Sequence, residues 1–447
     1  MTGAGLGWFG IVRLGLVQTA LGAIVVLTTS TINRVMIVEL ALPAMIPGLL
    51  VTWHYALQVL RPRWGHGSDG GGRRTRWIIA GMAALALGGV GAALSVVVMA
   101  YSTALGMLIA AIAFTFIGGG VGAAGTSLLV LLAKSVREAR RAAAATIVWI
   151  MMIMGFIVTA GTAGHFLDPF SPTRLLVIAT VICGVAFLLT LIAVWGVETS
   201  AGVETASKPE AAKVPFMQAL SQVWDDATAR RFAAFIFVSM LAYSAQDLIL
   251  EPFAGLVFGF TPGQSTSLSG LQNAGVLLGM ILVGAAATMW SRNKAMSLRN
   301  WTVAGCAGSA LALAGLVAAA QVGPGWPLKP SVFALGFCNG VFAVAAIGSM
   351  FNLATSGTTS REGLRMGLFG ASQAIAFGLG GFAGTVMVDV TRMIYGSPVT
   401  AYAFVFAIEA LLFIAAAIMA ANIGRQEGTG HAVNPLILAA RHQSGGN

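Results

Sequence analysis

Twelve separate runs of apolar residues, each about as long as a bilayer-crossing helix, constrain this chain more than any motif in it. A helix needs ~20 predominantly apolar residues to cross the hydrocarbon layer. Every backbone polar group placed there must be satisfied within the fold, which leaves helices or a closed barrel. The runs lie near 14–36, 39–60, 77–99, 104–133, 143–165, 174–197, 231–258, 267–290, 300–320, 330–354, 366–390 and 401–422. They are continuous and do not alternate, so they predict helices and exclude strands. Charged residues are 9% of the chain against 57% hydrophobic, where a soluble domain carries ~25% charged. The expectation is an all-α membrane protein with twelve transmembrane helices.

The net charge of +10 invites a nucleic-acid reading, but the distribution of the basic residues answers it. If the N-terminus is cytoplasmic, all of the 25 Lys and Arg except Arg34, Arg174, Lys329 and Arg392 fall in cytoplasmic segments. Such a bias is what the positive-inside rule requires. It predicts that both termini are cytoplasmic, and needs lipid but no nucleic acid as partner. The start, "MTGAGLGWFGIVRLGLVQ", suggests a short interfacial helix around Trp8, Phe9 and Arg13 and shows no small-residue cleavage site. Cys183, Cys306 and Cys338 fall within runs and share no ligand-type spacing, so they read as packing residues.

The longest polar interruption divides the chain into halves. We expect an N-terminal six-helix half at 1–197, a cytoplasmic linker at 198–230 with a short surface helix at 215–229, a C-terminal six-helix half at 231–423, and a cytoplasmic tail at 424–447. The halves open similarly, with "NRVMIVELALPAMIPGLL" ending the first run and "QDLILEPFAGLVFGFTPGQ" ending the seventh. A parallel six-plus-six repeat around a central cavity has this form.

In the loop between the second and third runs, "GHGSDGGGRR" places Gly65, Asp69, Gly72, Arg73 and Arg74 in a spacing that resembles the signature loop of the major facilitator superfamily. Glycine permits a tight turn, and Asp69 can sit at the positive end of a helix or on an Arg partner, forming a cytoplasmic latch. Gly70 departs from that pattern, which usually has a basic residue there. A narrower resemblance rests on "LGLVQTALGAIVVLTTSTINRVMIVELALPA" (14–44), "QDLILEPFAG" (246–255) and "GLRMGLFGASQAIAFGLGGFAG" (363–384). These are similar to the PucC/LhaA family, a photosynthetic branch of that superfamily. "RPRWGHGSDGGGRRT" further resembles the branch labelled a bacteriochlorophyll synthase chain. The resemblance implies major facilitator architecture and transient handling of bacteriochlorophyll or a precursor. It also implies partnership with light-harvesting polypeptides or pigment-synthesis enzymes.

The seventh run carries acids that lipid would penalise by at least ~2.5 kcal/mol each. Tyr243, Asp247 and Glu251 recur every four residues, so they share one helix face, which must look into the bundle. Gln246 lies beside them, and Pro252 frees the carbonyl of Leu248 and predicts a kink. Arg34 and Glu39 occupy a similar depth in the first half. Two readings stand: an ion-pair cluster holding the outer gate, or acids that couple proton movement to transport. A carboxylate ligand to pigment magnesium is a third.

His54 is the one histidine in the middle of a run, flanked by Trp53 and Tyr55. It is either hydrogen-bonded within the bundle or, given the resemblance, an axial ligand to a bacteriochlorin magnesium. Asn339, Asn352 and Gln373 line a cavity or bond between helices. Gly118 with Gly122, and Gly380 with Gly384, form small-xxx-small arrays for close helix approach. No strand precedes these glycines, which excludes a nucleotide loop. Trp64, Trp77, Trp195, Trp290, Trp301 and Trp326 read as interface anchors. The chain carries neither a metal-ligand spacing nor the DDxxD cluster of a polyprenyl-transferring synthase, so we expect no metal site of its own and no enzyme. The alternatives kept open are a proton-coupled transporter of a small solute or pigment intermediate, and an accessory chain of bacteriochlorophyll synthase.

Overall fold

A computed structural model describes residues 6–58, 74–137, 140–197, 227–289, 297–355 and 362–423. Among them are twelve helices. α1 spans Trp8–Val38, α2 Met45–Leu57, α3 Arg74–Met99, α4 Thr103–Ser135, α5 Arg141–Phe166 and α6 Pro172–Val194. They are followed by α7 Ala227–Phe258, α8 Pro262–Met289, α9 Leu298–Val322, α10 Leu328–Thr355, α11 Glu362–Tyr395 and α12 Pro398–Ile423. All except the 13-residue α2 are long and apolar enough to cross a membrane. The latch residues Gly65, Asp69, Gly72 and Arg73 lie outside the described residues, as do residues 198–226 of the linker and 424–447 of the tail; Arg74 opens α3.

Two expected boundaries are corrected. The second run does not begin as helix at residue 39: the chain turns between Glu39 and Ala44, with Ala41 in the left-handed region at φ 51°, and α2 starts at Met45. Pro43 cannot donate the backbone bond that would continue α1. The N-terminal interfacial helix is not separate, because α1 runs without a break from Trp8. Arg13 instead reaches the C-terminus of α6, where Nε donates to the Ala193 carbonyl at 3.1 Å and Nη2 to those of Ile192 at 3.2 Å and Trp195. Those carbonyls have no partner within their own helix, and a cation is the favoured group there.

The buried apolar side chains form two main clusters. One is drawn from Ile11 to Val197 with Leu248, the other from Phe232 to Ala420 with Ile37 and Ala44. Outward faces are apolar as well. On α6, Val177, Val181, Val185, Leu188 and Ile192 are exposed at helical spacing, because the surrounding solvent is hydrocarbon. The two groups of helices meet where α5 packs on α8 and α2 on α11.

Within each group, glycine sets the distance of approach. A Cβ at Gly336 would lie 2.0 Å from the Gln272 carbonyl oxygen, and one at Gly340 would lie 2.0 Å from that of Val276. Gly275 and Gly279 meet the Phe333 and Phe337 carbonyls in return, so α8 and α10 pack backbone to backbone. The expected arrays behave unevenly: Gly380 and Gly384 lie against α7, and Gly118 lies against the His54 carbonyl of α2. Replacing Gly340 by Leu should therefore cost at least the ~1–3 kcal/mol of an overpacked core. Gly184, with nothing within 4 Å of its Cβ position, should accept Ala without loss. Thermal stability of the two purified variants in detergent checks this contrast.

Candidate functional site

Between the two groups of helices lies a cavity of about 370 Å³. Its wall is mainly apolar, with Leu21, Val25, Met152, Phe156, Met240 and Phe342 among the lining residues. The polar groups come from both halves: Gln18, Thr29 and Ser30 from α1, His54 and Gln58 from α2, Tyr243, Asp247 and Glu251 from α7, Ser269, Gln272 and Asn273 from α8, and Gln373 from α11. Such a mixture is typical of small-molecule sites.

The four-residue spacing on α7 brings Tyr243, Asp247 and Glu251 to the cavity together. Gln246 points elsewhere, fully buried, with neither amide atom hydrogen-bonded. Glu251 is 2% exposed, and neither carboxylate oxygen closes a hydrogen bond. Hydroxyls of Ser30, Thr266 and Ser269 stand around it. They are turned toward one another, Ser30 to Ser269 at 3.4 Å and Thr266 to Thr31 at 3.3 Å. Asp247 lies within Coulomb reach of Glu409 on α12, a fully buried acid whose oxygens also have no hydrogen-bond partner.

α7 continues as helix through Pro252. Proline leaves the Leu248 carbonyl without its helical donor, and Asn33 of α1 supplies the missing bond, its Nδ2 donating to that oxygen at 2.8 Å. Just before Asn33, Leu27–Ile32 winds as a π-helix. The threonines occupy the widened turn: Thr28 and Thr29 both donate to the Val25 carbonyl at 2.9 Å. Such bulges cluster at functional sites.

One end of the cavity is closed by contacts between the halves. Arg34 is 1% exposed; its Nη1 lies 2.5 Å from Glu39 Oε1, and its Nη2 donates to the Phe260 carbonyl at 2.8 Å. Arg34 thus spends its hydrogen bonds on Glu39 and the end of α7, while Glu251 stands within its Coulomb reach. Asp389 of α11 accepts the Ala44 N–H at 3.0 Å and the Met45 N–H at 2.7 Å, capping α2. Asp168, just beyond α5, accepts the Gly263 N–H at 3.1 Å and the Thr261 hydroxyl at 2.5 Å, capping α8. Each half thus caps the second helix of the other.

His54 is buried and lines the cavity, its Nε2 3.0 Å from Gln58 Nε2. A series of aromatic rings continues from it across both halves: His54 to Tyr55 at 4.5 Å, Tyr55 to Phe377 at 5.7 Å, and Phe377 to Tyr243 at 5.8 Å. Gln373 joins the wall, whereas buried Asn339 accepts a bond from Ser309 at 2.8 Å and serves the packing of α9 on α10. The side chain of Asn352 lies outside the described residues. Sequence reasoning missed Glu409, Asp168, Asp389 and the π-turn. Glu409 was detectable, because "FVFAIEALLFI" sets an acid within a span, as the seventh run does with two.

Twelve helices in two packed groups, meeting through α2, α5, α8 and α11 around a central cavity, define the major facilitator superfamily architecture. The structure resembles a mutant form of the nucleoside transporter NupG with a TM-score of 0.66 at 14% identity, covering 93% of this chain and 100% of that one. It resembles a D-xylose–proton symporter with a TM-score of 0.67 at 13% identity, covering 93% and 97%. These likenesses describe the fold alone. Residues 31–428 match the family model described as PUCC protein, and the chain belongs to that family. Over 434 residues it is 52% identical to the "Bacteriochlorophyll synthase 44.5 kDa chain" of Rhodobacter capsulatus, covering 97% of this chain and 99% of the relative. Protein PucC of Rhodobacter capsulatus is 28% identical over 442 residues, covering 94% and 93%.

The capping carboxylates generate a test. Each is expected to contribute ~0.5–2 kcal/mol, the range for removing a helix cap. Changing Asp168 and Asp389 together to Ala should open that end and raise thiol-reagent labelling of a cysteine placed at Thr29, with the helical content unchanged. Labelling equal to that of the parent would show that the caps do not hold the halves together.

Proposed function

We propose that this protein handles bacteriochlorophyll in the bacterial inner membrane, delivering it toward light-harvesting polypeptides, and does not catalyse a reaction. The observation that carries the reading is full-length similarity, at 52% identity, to a relative named for bacteriochlorophyll synthesis, within a family that includes PucC proteins. The fold supports a carrying role, since it encloses a cavity between two groups of helices. The basic residues favour cytoplasmic termini. With that orientation, the end closed by Arg34, Asp168 and Asp389 faces the periplasm and the cavity extends toward the cytoplasmic side. Arg34, Glu39, Gln246 and the α7 stripe then serve as the periplasmic gate region, with Gly65, Asp69, Gly72, Arg73 and Arg74 as the cytoplasmic latch.

The aromatic series suits a flat conjugated ligand, because Tyr55, Phe377 and Tyr243 offer ring faces from both halves. Bacteriochlorophyll would bring its own magnesium, which takes an axial donor. His54 is the imidazole in the wall, and it would have to exchange its Gln58 contact for the metal. A second reading, proton-coupled transport of a small solute or pigment intermediate, draws on the buried acids of α7 and α12. A third makes the chain an accessory subunit of bacteriochlorophyll synthase, as the relative's name suggests.

Purification in mild detergent, followed by absorption spectroscopy and identification of co-purifying polypeptides, separates these readings. Bound bacteriochlorin with antenna polypeptides supports delivery, and bound pigment with a synthase supports the accessory role. Solute-dependent proton flux without pigment would replace both. In the pigment-bearing preparation, His54→Phe should lower bacteriochlorin content several-fold and shift its spectrum. An unaltered spectrum would assign His54 to its Gln58 contact.

A further inference from the structure

The side-chain amides of the cavity wall are engaged within the fold, with one exception. Asn273 donates to the Ser269 carbonyl at 2.9 Å, Gln18 to the Met152 sulfur at 3.1 Å and Gln373 to the Met240 sulfur at 3.9 Å, while Gln58 faces His54. Gln272 of α8 is 6% exposed and lines the same cavity, yet its Nε2 has no hydrogen-bond partner. A buried N–H left without an acceptor is costly, and a bound acceptor relieves that cost. The backbone beneath it is fixed, because the Gln272 carbonyl oxygen would lie 2.0 Å from a Cβ at Gly336 of α10. The donor is therefore held on a rigid pair of helices, as a recognition group needs to be.

The charge of the wall limits what that acceptor can be. Asp247 and Glu251 line the cavity, and Glu409 lies within Coulomb reach of Asp247. Among the described residues no Lys or Arg joins them in the wall. Arg34 is bound to Glu39 and the Phe260 carbonyl at the closed end. A carboxylate entering this space would leave water without gaining a cation, whereas a neutral carbonyl faces no such cost.

We propose that Gln272 donates to a carbonyl oxygen of a neutral cargo, and that the cavity rejects the same cargo when it carries a free carboxylate. Resting on the pigment reading above, this names the form of pigment that is handled. Bacteriochlorophyll presents keto and acetyl oxygens at the edge of its ring, and its propionate is masked as an ester. Ring faces are offered by Tyr55, Phe377 and Tyr243 on α2, α11 and α7, and the edge donor by α8. The class of reaction that supplies this cavity is then an esterification, completed before the pigment arrives.

The test uses the full chain in mild detergent at pH 8.5, where an ordinary imidazole is neutral. It is titrated with bacteriochlorophyll, with the same macrocycle carrying its propionate as the methyl ester, and with that macrocycle carrying the propionate free. The last two both lack the long tail, so their comparison isolates charge. The methyl ester should bind at least ~10-fold more tightly than the free acid. Resonance Raman spectra of bound bacteriochlorophyll should show a ring carbonyl stretch lowered relative to the pigment in a solvent that donates no hydrogen bond. Gln272→Met, close in shape but without a donor, should return that band to its free position and weaken binding ~2- to 10-fold, with helical content unchanged. Should that variant fail to accumulate, the parent's band and its preference for the ester decide the matter. A free acid that binds as well as the methyl ester, a parent spectrum without a lowered band, or a lowered band that persists in Gln272→Met overturns the proposal and leaves pigment handling standing. Binding of none of the three forms removes pigment handling itself, and the proposal with it.

Discussion

A helix that starts inside a membrane protein brings N–H groups that have no partner in their own helix, and hydrocarbon offers no water to take them. α2 and α8 both start at the closed end. Asp389 meets the first through Ala44 and Met45, and Asp168 meets the second through Gly263 and the preceding Thr261. Because each acid belongs to the opposite half, the satisfaction of two helix ends is conditional on the halves being together. Opening that end breaks both sets of bonds at once. A closed end built this way behaves as a two-state element rather than a gradual hinge.

The α1–α7 contact follows the same logic. Pro252 removes the donor that the Leu248 carbonyl would use, and Asn33 replaces it from across the interface. The proline does not break the helix, because the orphaned oxygen is met from outside. Arg34 adds a second such bond at the Phe260 carbonyl where α7 ends. At this contact the polar side chains thus act on backbone, and the partners lie in the other half.

The class of fold was legible in the apolar runs, because a bilayer demands a fixed length of helix and leaves that demand written in composition. The shared orientation of Tyr243, Asp247 and Glu251 was legible for the related reason that a helix has a fixed period. What could not be read was anything decided by a meeting of distant segments. Asp168 and Asp389 sit near span ends, where a carboxylate needs no special explanation, and only the assembled bundle shows them on helix N-termini. The π-turn at Leu27–Ile32 leaves no periodic mark in six residues rich in Thr and Ser. Similar depth in the two halves suggests Arg34 beside Asp247, yet depth does not give azimuth, and the structure sets Glu39 and Phe260 at its guanidinium.

The packing within and between halves differs in a way that bears on movement. Inside the second half, Gly336 and Gly340 sit so close to α8 that a Cβ would reach its backbone oxygens at 2.0 Å. Backbone contact of that kind cannot slide, since any shift drives main chain into main chain, so α8 and α10 move as one body. Across the interface, Gly48 faces the Thr385 hydroxyl, and Gly164 and Gly263 face each other's carbonyls. These contacts are tightest at the closed end; farther in, a Cβ at Gly270 would meet Ala160 only at 3.3 Å and one at Gly378 would meet Tyr55 at 3.6 Å, and along the cavity the halves face each other through Met, Phe and Gln side chains, whose rotamers adapt. A bundle stiff within its halves, joined tightly at one end and loosely along the cavity, has rocking about that end as its softest motion. Any cargo admitted to the cavity would then be sensed where α1 and α7 meet, because these two helices carry both wall residues, Val25, Ser30, Tyr243 and Asp247, and the closing contacts of Asn33 and Arg34.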